Sequence, residues 1–152
     1  MKQSAGILLY REQDNVIQFL LVHPGGPFFT KKNEGAWTIP KGELLTDEDP
    51  LKAALREFEE ETGYTPFPPF LALQPIIQKG GKEVLCWAAK GDFNATEITS
   101  NTFTIEWPPK SGKITEFPEV DKAGWFNIEE ARKLINERQI PLLEEIIYLL
   151  TL

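Results

Sequence analysis

The chain alternates between two hydrophobic rhythms. Residues 4–11 ("SAGILLYR") and 16–23 ("VIQFLLVH") are apolar runs rich in branched and aromatic side chains, with "EQDN" between them. They predict two strands joined by a turn. "PGGPFFTKKNEG" is a glycine- and proline-rich loop, and "AWTIPKGE" a short extended segment ending at Pro40 and Gly42. Over residues 50–62 the period lengthens to that of a helix. At about 100° per residue, Leu51, Ala54, Leu55 and Phe58 share one face that should bury against a sheet. Asp49 suits the N-cap, Pro50 the first helical position, and Gly63 the left-handed residue that ends a helix. "FLALQPIIQ" and "KEVLCWAAKGDF" predict two further strands around "KGG". "NTFTIEWPPKSGKITEFPEVDKA" reads mostly as loop, because Pro108, Pro109 and Pro118 break it. "GWFN" predicts a short strand, and "IEEARKLIN" and "IPLLEEIIYLL" two helices. Strands, one helix, more strands and C-terminal helices, without an internal repeat, predict one mixed α/β or α+β domain over residues 1–152.

The first helix is unusually acidic. Glu57, Glu59, Glu60 and Glu61 crowd its second half. Like charges three or four residues apart on a helix repel by roughly a few tenths of a kcal/mol per pair. Glu57, Glu60 and Glu61 fall on one stripe beside the apolar face, while Glu59 points elsewhere, towards solvent. Arg56, four residues before Glu60, is placed to pair with it. Such a stripe is either a solvated acidic face or a seat for a hard divalent cation such as Mg²⁺ or Mn²⁺, which prefers oxygen ligands. The charge pattern alone favours the solvated face.

Charge narrows the partners. The 152 residues carry a formal net charge of −7. That argues against a broad nucleic-acid or membrane-surface footprint, which wants a basic face. A nucleotide ligand stays open, because a bound cation reverses the local sign. The single cysteine, Cys86, allows no internal disulfide and sits in the apolar run "VLCWAA", which predicts a buried, inert thiol. With one histidine besides, a Cys/His zinc site is excluded. No apolar run approaches the roughly 20 residues of a membrane span, and the N-terminus does not read as a signal peptide. The expectation is a soluble, cytoplasmic protein; the sequence does not choose between monomer and homodimer.

The residues around the acidic helix decide the matter. Gly42 is followed by Glu48, then by Arg56-Glu57, Phe58, Glu60-Glu61, Gly63 and Tyr64, in the spacing G-x5-E-x7-R-E-U-x-E-E-x-G-U, where U is bulky and apolar. This resembles the Nudix box at all seven fixed positions; Phe58 and Tyr64 stand at U positions that are more often aliphatic. "WTIPKGE" is similar to the usual Nudix lead-in, and the resemblance extends over nearly the whole chain. "HPGGPFF", "EWPP" and "FPEVDKAGWF" resemble a bacterial subgroup often grouped with diadenosine polyphosphate hydrolases.

The resemblance implies an α+β fold, an α/β/α sandwich with a mixed sheet between helices. It implies metal-dependent hydrolysis of a pyrophosphate linkage in a nucleoside diphosphate derivative, with Mg²⁺ (or Mn²⁺) as cofactor. It gives Glu57, Glu60 and Glu61, with the Gly42 carbonyl, as metal ligands. Arg56 would orient the glutamates, and Glu48 would support the loop–helix geometry or touch metal-bound water. Glu60 or Glu61 would combine ligation with proton transfer, and Glu119 is the preferred later-loop base, with Glu116 and Glu106 as rivals. Lys41 and Lys110 are candidate phosphate contacts, and Trp37, Phe28 and Trp107 candidate base-stacking rings, each with solvent exposure or core packing as its plain alternative. His23 reads as structural. The expected substrate is a nucleotide polyphosphate, best a dinucleoside polyphosphate such as diadenosine tetraphosphate. A housecleaning (d)NTP pyrophosphohydrolase and a non-catalytic nucleotide-sensing domain are the alternatives; nucleotide sugars, ADP-ribose, capped RNA ends and inorganic or inositol polyphosphates stay open.

Overall fold

Strand β1 (Gln3–Gln13) is fully buried from Ser4 to Leu9. A strand buried on both faces needs cover on both sides. In the computed structural model, which describes residues 2–152, that cover is helical. Ala5, Ile7 and Leu9 point to one side, where they meet Ala53, Ala54 and Phe58 of helix α1 (Pro50–Thr62). Leu8 points to the other, into a core shared with Ala131 of α2 (Ile128–Leu134) and Leu142, Leu143 and Ile146 of α3 (Ile140–Leu150). The result is the α/β/α layering that the resemblance implies.

The sheet is mixed. β1 turns into β2 (Val16–Pro24) through Asp14 and Asn15, both at positive φ (53° and 65°), as a two-residue hairpin prefers. β6 (Glu83–Lys90) runs parallel to β1 on its other edge, and β9 (Val120–Asn127) runs antiparallel to β2. The expected strand at "FLALQPIIQ" is two short pieces, β4 (Leu71–Ala72) and β5 (Ile76–Ile77), both on β6. Pro75 lies between them; proline cannot donate to a ladder. "GWFN" is the end of the longer β9.

The segment read as loop is instead a separate hairpin. β7 (Thr102–Glu106) pairs with β8 (Ile114–Pro118) as a two-stranded sheet of its own. Its prolines do not interrupt it, because Pro108 and Pro109 sit in the connecting turn and Pro118 at the strand's end. The alternation Phe103, Ile105 against Thr102, Thr104, Glu106 is the period-2 signal of a strand.

One feature of the sheet places the site. β1 pairs with β2 only over Tyr10–Gln13; nearer its start it pairs with β3 (Lys41–Glu43). The segment leading into β3 fills the gap: Thr38 bridges Val22, and the Pro40 carbonyl accepts from Ile7 N–H at 3.3 Å. β1 is glycine where the inserted segment presses hardest. A Cβ on Gly6 would stand 2.6 Å from the Pro40 oxygen and 2.8 Å from Lys41 Cβ. Gly6→Ala is therefore expected to push β3 away and destabilise the fold by roughly 1–3 kcal/mol, the range for overpacking. Urea denaturation at neutral pH measures it; a loss near zero would mean that the inserted segment yields freely.

Candidate active site

Helix α1 begins as the sequence predicts. The Asp49 carboxylate accepts from Lys52 N–H at 3.1 Å, and Gly63 ends the helix at φ +81°. Its buried residues are Ala53, Ala54, Phe58, Glu61 and Thr62. Leu51 and Leu55, expected on the buried face, only flank that core. Glu61, three residues after Phe58, continues the buried stripe and is 7% exposed.

Three of the carboxylates are held by a single cation. Arg56 donates to Glu48 through Nε at 2.8 Å and Nη2 at 2.9 Å, a bidentate pair. Its Nη1 donates to Glu57 at 2.9 Å and reaches both oxygens of Glu60 at 3.2 and 3.3 Å. Nη2 also reaches the Glu43 carbonyl at 3.3 Å. Glu48 in turn accepts from Leu45 N–H at 3.0 Å, so one guanidinium ties the loop to the helix. The role expected for Glu48, loop–helix support, matches this contact. On the opposite side, Glu61 accepts from the backbone N–H of Lys41 at 3.1 Å, and Glu57 lies against Gly42, where any Cβ would fall on its carboxylate.

Electrostatics separate the group into two kinds. Arg56, helped by the Leu45 amide, holds Glu48 down to about 2. Glu57 and Glu61 are pushed up, first by burial and then by neighbouring carboxylates: chiefly Glu60 on Glu57, and Glu57 with Glu119 on Glu61. Glu119 is itself pushed up by burial and by Glu60. The fold thus brings Glu119, from the turn before β9, into the field of the helix carboxylates 58 or more residues earlier. Backbone bonds hold it there: Asn101 N–H donates to the Glu60 carbonyl at 2.7 Å, and Glu119 N–H to the Asn101 carbonyl at 2.8 Å. Asn101 also lines a cleft of about 370 Å³ with Arg56, Glu59 and Glu60. Sequence reading misses Asn101, since its contribution is a main-chain amide and carbonyl.

The remaining candidates scatter. Lys41 stands beside the cluster, its pKa lowered by burial and by Lys82. Lys110 is at the exposed turn of the β7–β8 hairpin, its N–H held by Glu106 at 2.9 Å. Glu106 is thereby committed to that turn, and Glu116 is exposed on β8. Trp37 is not a free stacking face. It is 5% exposed in the core, edge-on to His23 and Phe126, with its indole N–H on Asn33 at 2.8 Å. His23 is buried between Asp121 (2.8 Å) and the Lys32 carbonyl (2.7 Å). Cys86 is buried and its thiol pushed up by that burial.

The donor set suits a hard divalent cation. Among the described residues no three acidic, cysteine or histidine side chains converge closely enough to hold a metal as they stand. The reason is visible: Arg56 draws Glu57 and Glu60 to itself, and Glu61 leans on the Lys41 amide. What fits the cation is the chemistry. The donors are carboxylate oxygens, Gly42 leaves its backbone bare beside them, and their mutual repulsion falls when a positive charge enters.

These shifts fix a pH dependence. Glu48, lowered, stabilises the fold above the ordinary carboxylate value, and that contribution is lost as pH falls towards about 2. Glu61, raised, binds a proton more readily folded than unfolded, so metal-free stability falls as pH rises from the ordinary carboxylate value through its folded pKa. Glu61→Gln keeps an acceptor for Lys41 N–H but removes the charge. It is expected to raise the metal-free Tm at neutral pH by a few degrees, to lessen the decline above the ordinary carboxylate value that Glu57 and Glu119 share, and to reduce the Tm gain from added Mg²⁺. Thermal melts across pH, with and without Mg²⁺, read all three.

A family model described as NUDIX domain matches residues 1–146. The chain is 31% identical over 115 residues, 73% of its length and 44% of the relative's, to the mRNA-decapping protein g5R of African swine fever virus (isolate Warthog/Namibia/Wart80/1980). It is 34% identical over 89 residues, 59% of its length and 56% of the relative's, to the asymmetrical bis(5'-nucleosyl)-tetraphosphatase of Caenorhabditis elegans. It thus aligns with about half the length of these curated relatives. A solved structure of a C. elegans Ap4A hydrolase binary complex superposes with a TM-score of 0.69 at 25% identity, covering 99% of this chain and 98% of that one. With the box residues gathered around Arg56 on a sheet layered between helices, the chain belongs to the Nudix family.

Proposed function

We propose that this chain hydrolyses a phosphoanhydride linkage in a nucleotide polyphosphate, with Glu57, Glu60, Glu61 and the Gly42 carbonyl holding Mg²⁺ or Mn²⁺. The observation that carries the reading is the main-chain relay that ties Glu119 through Asn101 to the Glu60 carbonyl, since a later-loop carboxylate beside the acidic helix has a use in proton transfer that a solvated acidic face lacks. When bound, the cation neutralises phosphate charge and eases deprotonation of water. The protein's own groups supply the rest. Arg56 fixes Glu57 and Glu60, residues that would hold the cation. Glu61, buried, keeps one oxygen on the Lys41 amide and so sets the distance between helix and β3. Lys41 offers a cation to substrate phosphate. Glu119 accepts the proton as water attacks phosphorus, with Glu60 the alternative on the helix; burial and the charge of Glu60 make the Glu119 carboxylate a better base.

A dinucleoside tetraphosphate is the favoured substrate, on the likeness to the C. elegans tetraphosphatase and to the Ap4A hydrolase structure. A capped RNA end is the second reading, favoured by the likeness to the decapping protein; the net charge of −7 weighs against a long RNA tail. A panel of dinucleoside polyphosphates, (d)NTPs and capped oligonucleotides, incubated with and without Mg²⁺, tests this. Turnover is expected only with the cation, fastest on the tetraphosphate, and Glu60→Gln is expected to lower kcat by about 10²-fold or more. Turnover that ignores the cation or this substitution would overturn the reading. Binding without turnover would mark a sensing domain.

A further inference from the structure

The β7–β8 hairpin has an unusual balance of surface. None of its residues is fully buried, yet one face carries a row of half-buried apolar side chains, Phe103, Ile105 and Phe117. A two-stranded ribbon is marginal alone and needs something to pack on. Here it lies across the loop after β2. A Cβ on Gly26 would meet the Phe103 ring at 2.8 Å, and one on Gly25 would strike the Pro118 carbonyl. Just beyond the hairpin's last pair, Trp107 meets Phe28 of that loop edge-on, with centroids 5.5 Å apart at 79°. Phe28 is 57% exposed. The contact fixes the orientation of a ring that stays open to solvent, which core packing does not call for.

Both elements are tied to the acidic helix. Glu60, Asn101, Glu119 and Gly25 form one main-chain relay, since Gly25 N–H donates to the Glu119 carbonyl at 2.9 Å. From Thr102 to Trp107 the ribbon spans about 17 Å at roughly 3.3 Å per residue. Trp107 therefore stands a full strand's length along the ribbon from the Asn101 anchor on Glu60, a reach suited to several phosphates between a base and the bond that breaks.

We propose that Phe28, buttressed by Trp107, is a platform that stacks a nucleobase of the substrate, and that hairpin and loop set the distance from base to scissile bond. The proposal rests on the nucleotide polyphosphate reading above and adds its specificity-determining residues. Aromatic faces stack on any base, so the platform selects for a base at a given reach more than for its identity.

Titration calorimetry with Mg²⁺ tests it on two probes, a methylene-bridged adenosine tetraphosphate analogue and inorganic tripolyphosphate. Phe28→Ala and Trp107→Ala are expected to weaken the analogue about tenfold, within the range for losing one stacked base, and to leave tripolyphosphate unchanged. Trp107→Phe, which keeps a flat ring, is expected to retain most of the affinity. Wild-type affinity for the analogue in both alanine variants would overturn the platform, as would equal loss of both probes, which marks a hairpin that merely shapes the phosphate site. Turnover by the wild type separates this from the broader reading. A protein that binds the analogue but turns over none of the cleavable nucleotides of the panel overturns hydrolysis while the affinity ratio still judges the platform; a protein that binds neither probe overturns both.

Discussion

The site depends on one guanidinium. Arg56 touches Glu48, Glu57, Glu60 and the Glu43 carbonyl, so a single planar fork joins β3 and the loop after it to two positions on the helix. A lysine would bring the same charge without the fork; it has no fixed geometry with which to bind Glu48 in two places and still reach the helix. Without a central cation the carboxylates would splay towards water, each repelling the next. Arg56 stays 27% exposed, so its attraction is moderated by solvent and the helix carboxylates keep some freedom to turn. It therefore preorganises the cluster without locking it shut.

The sheet prepares the place where this happens. β1 and β2 part after four paired residues, and the segment from Thr38 to β3 wedges between β1 and β2. That wedge presents the Lys41 amide and the bare backbone of Gly42 to the helix. It also explains why Glu61 is buried: the helix face that packs on β1 continues into the carboxylate that caps Lys41 N–H. Burying a carboxylate costs stability in the absence of a compensating charge. The fold accepts that cost at the one point where helix, wedge and phosphate chemistry meet.

How much of this the sequence announces depends on range. The helix, its caps and the box are local patterns, and they stand where the spacing predicts. The prolines mislead in "NTFTIEWPPKSGKITEFPEVDKA", because a proline is a breaker only where its N–H is needed, and the turn and strand end do not need it. The mark of a strand was present in the alternation of Phe103 and Ile105. Trp37 misleads differently. A tryptophan near a nucleotide motif suggests stacking, but which side of the wedge it faces is decided by contacts with Phe126 and His23, far apart in sequence. Glu61 sits at the edge between stripe and core, where 100° steps cannot divide the two. The nearness of Glu119 is set by tertiary main-chain bonds alone.

Those bonds also bear on how reaction and recognition are divided in this fold. Glu60 belongs to the carboxylate cluster, yet its carbonyl begins a chain of amide contacts through Asn101 and Glu119 to Gly25. The chain uses backbone groups, so side chains on the hairpin and on the loop after β2 can change without altering it. Conversely, the carboxylates answer to Arg56 and the wedge, neither of which is part of the hairpin. Under the proposed function, reaction and reach would thus be carried by different side chains on a shared main-chain anchor. A ribbon with no fully buried residue can tolerate insertions and exchanges that a core strand cannot, since little packing is lost. On this physical ground, under the proposed function, a common acidic helix would serve substrates of different length: the carboxylates would set which bond is attacked, and the hairpin how far away the rest of the molecule is held.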